Sequence, residues 1–241
     1  MQNFNNSKIG VLIKTSFVDY PGCIAAALFV RGCNMRCPYC YNKDLVLGNV
    51  SDEEMVSFDQ ILEHLQKRKK VLTGFVISGG EPTISPYTEK LILEAKKLGY
   101  KIKLDTNGLC PEKLEYYINS PALCPDFIAM DIKTSLNKYS LLKPQGNLDA
   151  ESNILKSIEL ISKLPAEQRE FRTVLIPPLV SEQEIIEIAE ILPKDASWMF
   201  AKFRPGECID SEYNKIKPYN DLQYSELEKL ASTYIPKAQL R

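Results

Sequence analysis

Residues 24–30 read Ile-Ala-Ala-Ala-Leu-Phe-Val and have no polar face. That pattern suits a strand buried on both sides. The rest of the chain repeats the theme. Residues 58–69 carry Phe58, Ile61, Leu62 and Leu65 at helical spacing. Short apolar runs at 75–78, 101–104, 127–130, 171–176 and 198–203 read as further strands. Helical periodicity fills 87–98, 112–118, 150–164, 182–192 and 222–234, with Gly99 stopping one helix and Ser181 capping another. About six strand–helix units in series imply a parallel sheet with right-handed crossovers. Eight units would close a barrel, so six predict an α/β fold of the partial, TIM-like (β/α)6 kind with helices outside.

The polar motifs fall at the C-terminal ends of these strands, the edge where such sheets bind ligands. The first strand runs into Gly32 and then Cys33-Asn34-Met35-Arg36-Cys37-Pro38-Tyr39-Cys40, three thiols in eight residues. A structural zinc site is closed by four ligands, and neither Cys23 nor the lone His64 stands at a usual zinc spacing to be the fourth. Cys37-Pro38-Tyr39-Cys40 alone reads as a thiol–disulfide pair. The extra Cys33 and the motifs downstream weigh against that reading. Asn34, Arg36 and Pro38 weigh against three thiols buried as small hydrophobes. An iron–sulfur cubane needs one ligand per iron, so three cysteines leave one iron open for a substrate. The count of three favours this last reading.

Gly79-Gly80-Glu81-Pro82 ends the next strand, where two glycines allow close backbone approach to a ligand. It lacks the Gly-Lys-Ser/Thr ending of a phosphate loop. As a plain strand–helix turn it would place Pro82 near the first helical position. Asp105-Thr106-Asn107-Gly108 and Asp131-Ile132-Lys133 end the two strands after that. Asp105 would also serve as an ordinary turn residue, and Lys133 as a surface lysine or the partner of a carboxylate. Arg172 lies within a strand; Phe203 and Arg204 end the last one.

Taken together these motifs resemble the radical S-adenosylmethionine (SAM) superfamily, with CX3CX2C carrying an aromatic, Tyr39, before the third cysteine. The resemblance implies that Cys33, Cys37 and Cys40 hold a [4Fe–4S] cluster whose open iron chelates the amino and carboxylate groups of SAM. It implies that Gly79, Gly80 and Glu81 contact the SAM ammonium, and that Asp105, Thr106, Asn107, Asp131 and Lys133 line the SAM site. Arg172 corresponds to a basic residue near the SAM carboxylate, and Phe203 is a candidate for packing against adenine. The chain is most similar to activating enzymes of glycyl-radical proteins, in particular those of the anaerobic ribonucleoside-triphosphate reductase. Lys14-Thr15-Ser16, Asp19-Tyr20-Pro21-Gly22 and Gly32-Cys33-Asn34 carry that likeness, which runs over residues 9–204. Tyr41 departs from it, standing where relatives often carry histidine. The implied reaction is one-electron cleavage of SAM to methionine and a 5′-deoxyadenosyl radical, which takes hydrogen from a glycine of the partner. A low-potential donor such as flavodoxin or ferredoxin would supply the electron. The alternatives are a small-molecule substrate, a glycyl-radical partner of the pyruvate formate-lyase type and, remotely, a thiol–disulfide protein.

Composition bounds the rest. The chain has 241 residues, 44% hydrophobic and 25% charged, with a formal net charge of −1. That charge offers no general drive toward nucleic acid or an anionic membrane. No apolar run reaches the ~18 residues that span a bilayer. Seven clustered cysteines argue against a secreted disulfide framework and for a reducing cytoplasm. Cys23, Cys110, Cys124 and Cys208 are expected to be structural thiols. One radical SAM domain is expected over residues 1–241, with an N-terminal extension (1–22), a core (23–206) and a C-terminal helix (207–241). The segment before Cys23 is the candidate for a mobile cover. Replacing Cys33, Cys37 or Cys40 with Ala should abolish the brown absorbance of the reconstituted protein, whereas replacing Cys110 or Cys124 should not. A Cys33→Ala protein with full iron content and normal SAM cleavage would refute the three-thiolate assignment.

Overall fold

The computed structural model describes residues 7–241. The chain forms two compact units built from alternating stretches of sequence. The first takes the chain up to Cys33, then Asp44–Thr106 and Glu112–Ile128; the second takes Asn34–Lys43, Asn107–Pro111 and Ala129–Arg241.

The first unit opens with β1 (Lys8–Ser16) and β2 (Ala25–Val30), followed by α1 (Lys43–Leu47) and β3 (Val56–Ser57). Then come α2 (Phe58–Arg68), β4 (Gly74–Gly79), α3 (Thr88–Lys97), β5 (Lys101–Thr106) and α4 (Pro111–Asn119). Its strands lie in the order β3-β1-β2-β4-β5. β2, β4 and β5 are parallel, from Ala25↔Gly74 to Val30↔Gly79 in the first pair. β1 runs antiparallel to both β2 and β3. The polar-free stretch is buried as its composition requires, with Ala25 to Leu28 fully inaccessible. Tyr20, Ala25, Ala27 and Val76 pack together on one side, joined by Cys23, Phe29 and Phe127. A capping box starts α2, with Gln60 N donating to Ser57 Oγ (3.3 Å) and Ser57 N donating to Gln60 Oε1 (2.8 Å). Phe58, Ile61 and Leu65 face inward from that helix.

β6 (Phe127–Asp131) runs across the boundary between the two stretches. The second unit continues with α5 (Ala150–Ser162), β7 (Arg169–Leu175), α6 (Glu182–Ile191), β8 (Trp198–Lys202), α7 (Asp221–Tyr234) and β9 (Ala238–Leu240). β7, β8 and β9 are consecutive and parallel. Ser181 caps α6 as expected, within a capping box with Glu184. The buried Trp198 donates to Thr173 Oγ1 (2.9 Å), and Thr173 donates to the Ile132 carbonyl (2.7 Å). This chain of bonds fastens the exit of β6 to β7 and β8.

Each of the six expected core strands is present, from β2 to β8. Two expectations are corrected. The segment before Cys23 is no cover over residues 8–16: that stretch is β1, hydrogen-bonded into the sheet. Residues 207–241 hold more than a helix, because β9 follows α7 and pairs with β8. His64 is half-buried, its Nε2 2.9 Å from the Lys14 carbonyl. Leu28, fully buried in β2, is expected to cost about 3 kcal/mol when replaced by Ala. A shift of the urea unfolding midpoint measures this; an unshifted midpoint would show that β2 is not held in the core.

Candidate active site

In the first unit the end of β4 is clamped to the approach to Cys33. Gly80 N donates to the Val30 carbonyl (2.8 Å) and Glu81 N to the Gly32 carbonyl (2.8 Å). Gly79 has φ of +104°, a conformation L-residues with a Cβ rarely adopt. A Cβ on Gly80 would lie 1.8 Å from the Gly32 carbonyl oxygen. The glycines are thus required by the neighbouring backbone, a reason distinct from the ligand approach expected from sequence. Glu81 is fully buried, and its Oε1 accepts from Thr83 N (3.0 Å), Thr83 Oγ1 (2.6 Å) and Thr106 Oγ1 (2.9 Å). It ties the end of β4 to the end of β5. Asp105 accepts from Ser78 Oγ (2.8 Å) and from the buried Lys103 ammonium.

In the second unit the cysteine loop is strapped on two sides. Gln145 N donates to the Asn34 carbonyl (2.8 Å), and Arg36 N to the carbonyls of Leu142 and Lys143 (both 3.2 Å). Asp210 N donates to the Pro38 carbonyl (2.9 Å). Asn107 Nδ2 donates to Asn34 Oδ1 (2.8 Å), and Asn34 Nδ2 contacts Cys110 Sγ at 3.4 Å. Tyr39, Asp131, Lys133 and Arg172 meet on one cavity of about 310 Å³. Arg172 Nε lies 2.7 Å from Asp131 Oδ1 and Lys133 Nζ 3.1 Å from Asp131 Oδ2. Ile132, Val174, Met199 and Ala201 supply apolar wall.

Sequence reasoning did not assign Tyr41 or Arg241 to this cavity, which both line. Tyr41 Oη accepts from Arg204 N (2.9 Å), and its ring stacks on Phe203 at 6.4 Å and 19°. Phe203 is buried beneath that stack. The aromatic neighbours of the cysteine loop were the available signal for Tyr41; nothing local marked Arg241.

Burial pushes the Cys37 thiol up to about 11 and raises that of Cys40. Burial also opposes the charge on Asp131, but Arg172 and Lys133 outweigh it and bring its pKa down to about 2. Lys133 is likewise opposed by burial and held charged by Asp131. Burial lifts the Tyr39 phenol well above its usual range, and its hydroxyl has no hydrogen-bond partner among the described residues.

The family model of the radical SAM superfamily matches residues 28–192. The chain belongs to the radical SAM superfamily. It is 30% identical over 236 residues to a Methanocaldococcus jannaschii protein whose name assigns it provisionally to the glycyl-radical enzyme activating enzymes, covering 95% of this chain and 94% of that protein. It is 29% identical over 185 residues to the pyruvate formate-lyase-activating enzyme of Staphylococcus epidermidis, covering 73% and 71%. The structure of Streptococcus suis SuiB bound to S-adenosylmethionine matches with a TM-score of 0.59 at 19% identity, over 87% of this chain and 47% of SuiB. The chain thus spans about half of SuiB. That likeness speaks for the fold alone, and the fold is the α/β, partial-barrel class that the strand–helix alternation predicts.

Radical SAM proteins use a [4Fe–4S] cluster and SAM, and the residues here fit both. All seven cysteines are thiols rather than disulfides. Cys33 and Cys40 are half-buried and Cys37 is buried. Three sulfur donors in CX3CX2C are the right chemistry for iron, and binding would expel the protons that burial otherwise holds on Cys37 and Cys40. Among the described residues no three His, Cys, Asp or Glu side chains are already gathered as a metal site, so the motif and its donor chemistry carry the assignment. For SAM, the cavity is at the lower end of ligand-pocket size, roughly 300–1,000 Å³. It offers a buried unmet hydroxyl, three cations (Lys133, Arg172 and Arg241) and an apolar wall. Gly80→Ala is expected to lower both iron retention and SAM binding, because its Cβ would displace Gly32 next to Cys33. Full iron content with only SAM binding lost would restore a purely ligand-facing role for this glycine.

Proposed function

We propose that this radical SAM enzyme activates a glycyl-radical enzyme, and that its partner is the anaerobic ribonucleoside-triphosphate reductase. The carrying observation is the meeting of Tyr39, Asp131, Lys133 and Arg172 on one cavity. The likeness along 95% of the chain to a protein named for glycyl-radical activation supports the reaction class. The N-terminal signature Lys14-Thr15-Ser16 with Asp19-Tyr20-Pro21-Gly22 supports the choice of partner.

In this reading Cys33, Cys37 and Cys40 hold the cluster. Together the cluster and SAM supply a carbon-centred radical able to take a hydrogen atom from a glycine. The protein's own part is binding, orientation and exclusion of water. Lys133 and Arg172 present cationic groups for the carboxylate of SAM. Asp131 stays ionised between them and accepts hydrogen bonds from SAM. Tyr39 offers its unmet hydroxyl. Ile132, Val174 and Met199 keep the wall apolar, which strengthens the electrostatic contacts within. In the same reading Gly79, Gly80, Glu81, Asp105, Thr106 and Asn107 are SAM contacts through backbone and polar groups. The whole chain acts as one radical SAM domain in a reducing cytoplasm, with a flavodoxin or ferredoxin as electron donor. Among the described residues no helix is long and apolar enough to cross a membrane.

The test mixes the reconstituted, reduced protein and SAM with the anaerobic ribonucleotide reductase of the same source and records an electron paramagnetic resonance spectrum. A glycyl-radical doublet is expected. A doublet only on a pyruvate formate-lyase type enzyme would change the partner. SAM cleavage with no protein radical and consumption of a small molecule would change the substrate class.

A further inference from the structure

Lys103 stands behind Asp105, and its position is unusual. It lies in the middle of β5, two residues before Asp105, and so projects from the same face of the strand. It is 2% exposed. Lysine is rarely buried to this degree unless paired, and taking its charge out of water costs several kcal/mol before any partner offsets it. Its partner is Asp105, whose Oδ1 receives the Lys103 ammonium while Oδ2 receives Ser78 Oγ at 2.8 Å. Burial falls along the pair: the lysine side chain is 3% exposed and the aspartate side chain 12%. The ammonium is therefore the inner end and the carboxylate the outer one, at the strand end where the ligand-facing motifs stand. An ion pair that served only the fold could be replaced by apolar side chains at little cost. Here the pair holds one oxygen of the carboxylate while Ser78 holds the other.

We propose that Lys103 is a positioning residue for SAM: with Ser78 it fixes the orientation and charge of Asp105 at the end of β5. The proposal rests on the reading that Asp105 lines the SAM site. Lys103 itself touches no ligand and acts only through Asp105. Its removal should take the counter-charge from one Asp105 oxygen and loosen the hold on the carboxylate, and SAM should bind more weakly.

The test is a double-variant cycle on the reconstituted protein, reading SAM affinity by equilibrium dialysis, iron per chain and the melting temperature. K103M should weaken SAM binding on the order of tenfold, the scale of a lost charge-assisted hydrogen bond, with iron per chain unchanged. D105N should weaken it at least as much, and K103M/D105N should bind no more weakly than D105N alone. Should K103M not fold, K103Q keeps a buried donor without the charge and carries the same arms. Wild-type affinity in a folded K103M or K103Q overturns the proposal, as does full additivity with D105N. Wild-type affinity in D105N overturns the reading of Asp105, and the proposal with it; a weakened D105N beside an unaffected K103M overturns the proposal alone.

Discussion

The site depends on a parallel strand pairing that does not stop where the strands do. β2 and β4 pair from Ala25↔Gly74 to Val30↔Gly79, and the ladder runs on as Gly80 N to Val30 and Glu81 N to Gly32. Backbone amides must be satisfied once they leave water, and here the partner is the peptide leading into Cys33. The approach is so close that only glycine fits at position 80. The first cysteine therefore leaves the sheet from a backbone fixed by hydrogen bonds. Glu81 continues the same construction, joining Thr83 and Thr106 with one carboxylate oxygen.

In the second unit the governing interaction is electrostatic. Asp131 ends β6 with Arg172 against one oxygen and Lys133 against the other. Two cations thus flank one carboxylate at the wall of the cavity. The same pairing explains why Asp131 stays ionised despite burial. It also explains how Lys133 keeps its charge in a wall otherwise made by Ile132, Val174 and Met199. The cysteine loop meets this wall through Tyr39 and Tyr41, so the residues around the third thiol also shape the cavity.

Much of this was legible in the sequence because parallel strands buried on both faces leave a strong signature. Residues 24–30 announced β2, and the strands that became β4, β5 and β6 each ended in a polar motif that marked the C-terminal end. The motif residues Tyr39, Asp131, Lys133 and Arg172 were assigned before their meeting place was known. What stayed hidden depends on neighbours distant in sequence. Nothing local says that Gly80 faces Gly32, or that Glu81 turns inward to Thr106. β9 is three residues long, too short for an alternation to be read. Arg241 reaches the cavity while bonded to Glu170 at 2.7 Å, a pairing across 71 positions. Tyr41 read as a departure from relatives, whereas its hydroxyl and ring bind Arg204 and Phe203.

The central claim is that three thiolates leave one iron open for SAM. Mössbauer spectroscopy of the iron-57 reconstituted protein, with and without SAM, tests it most directly. The account predicts that SAM shifts the signal of one iron in four and leaves the other three unchanged. Four irons that do not respond to SAM, or a spectrum of tetrahedral sulfur-ligated single iron, would contradict it.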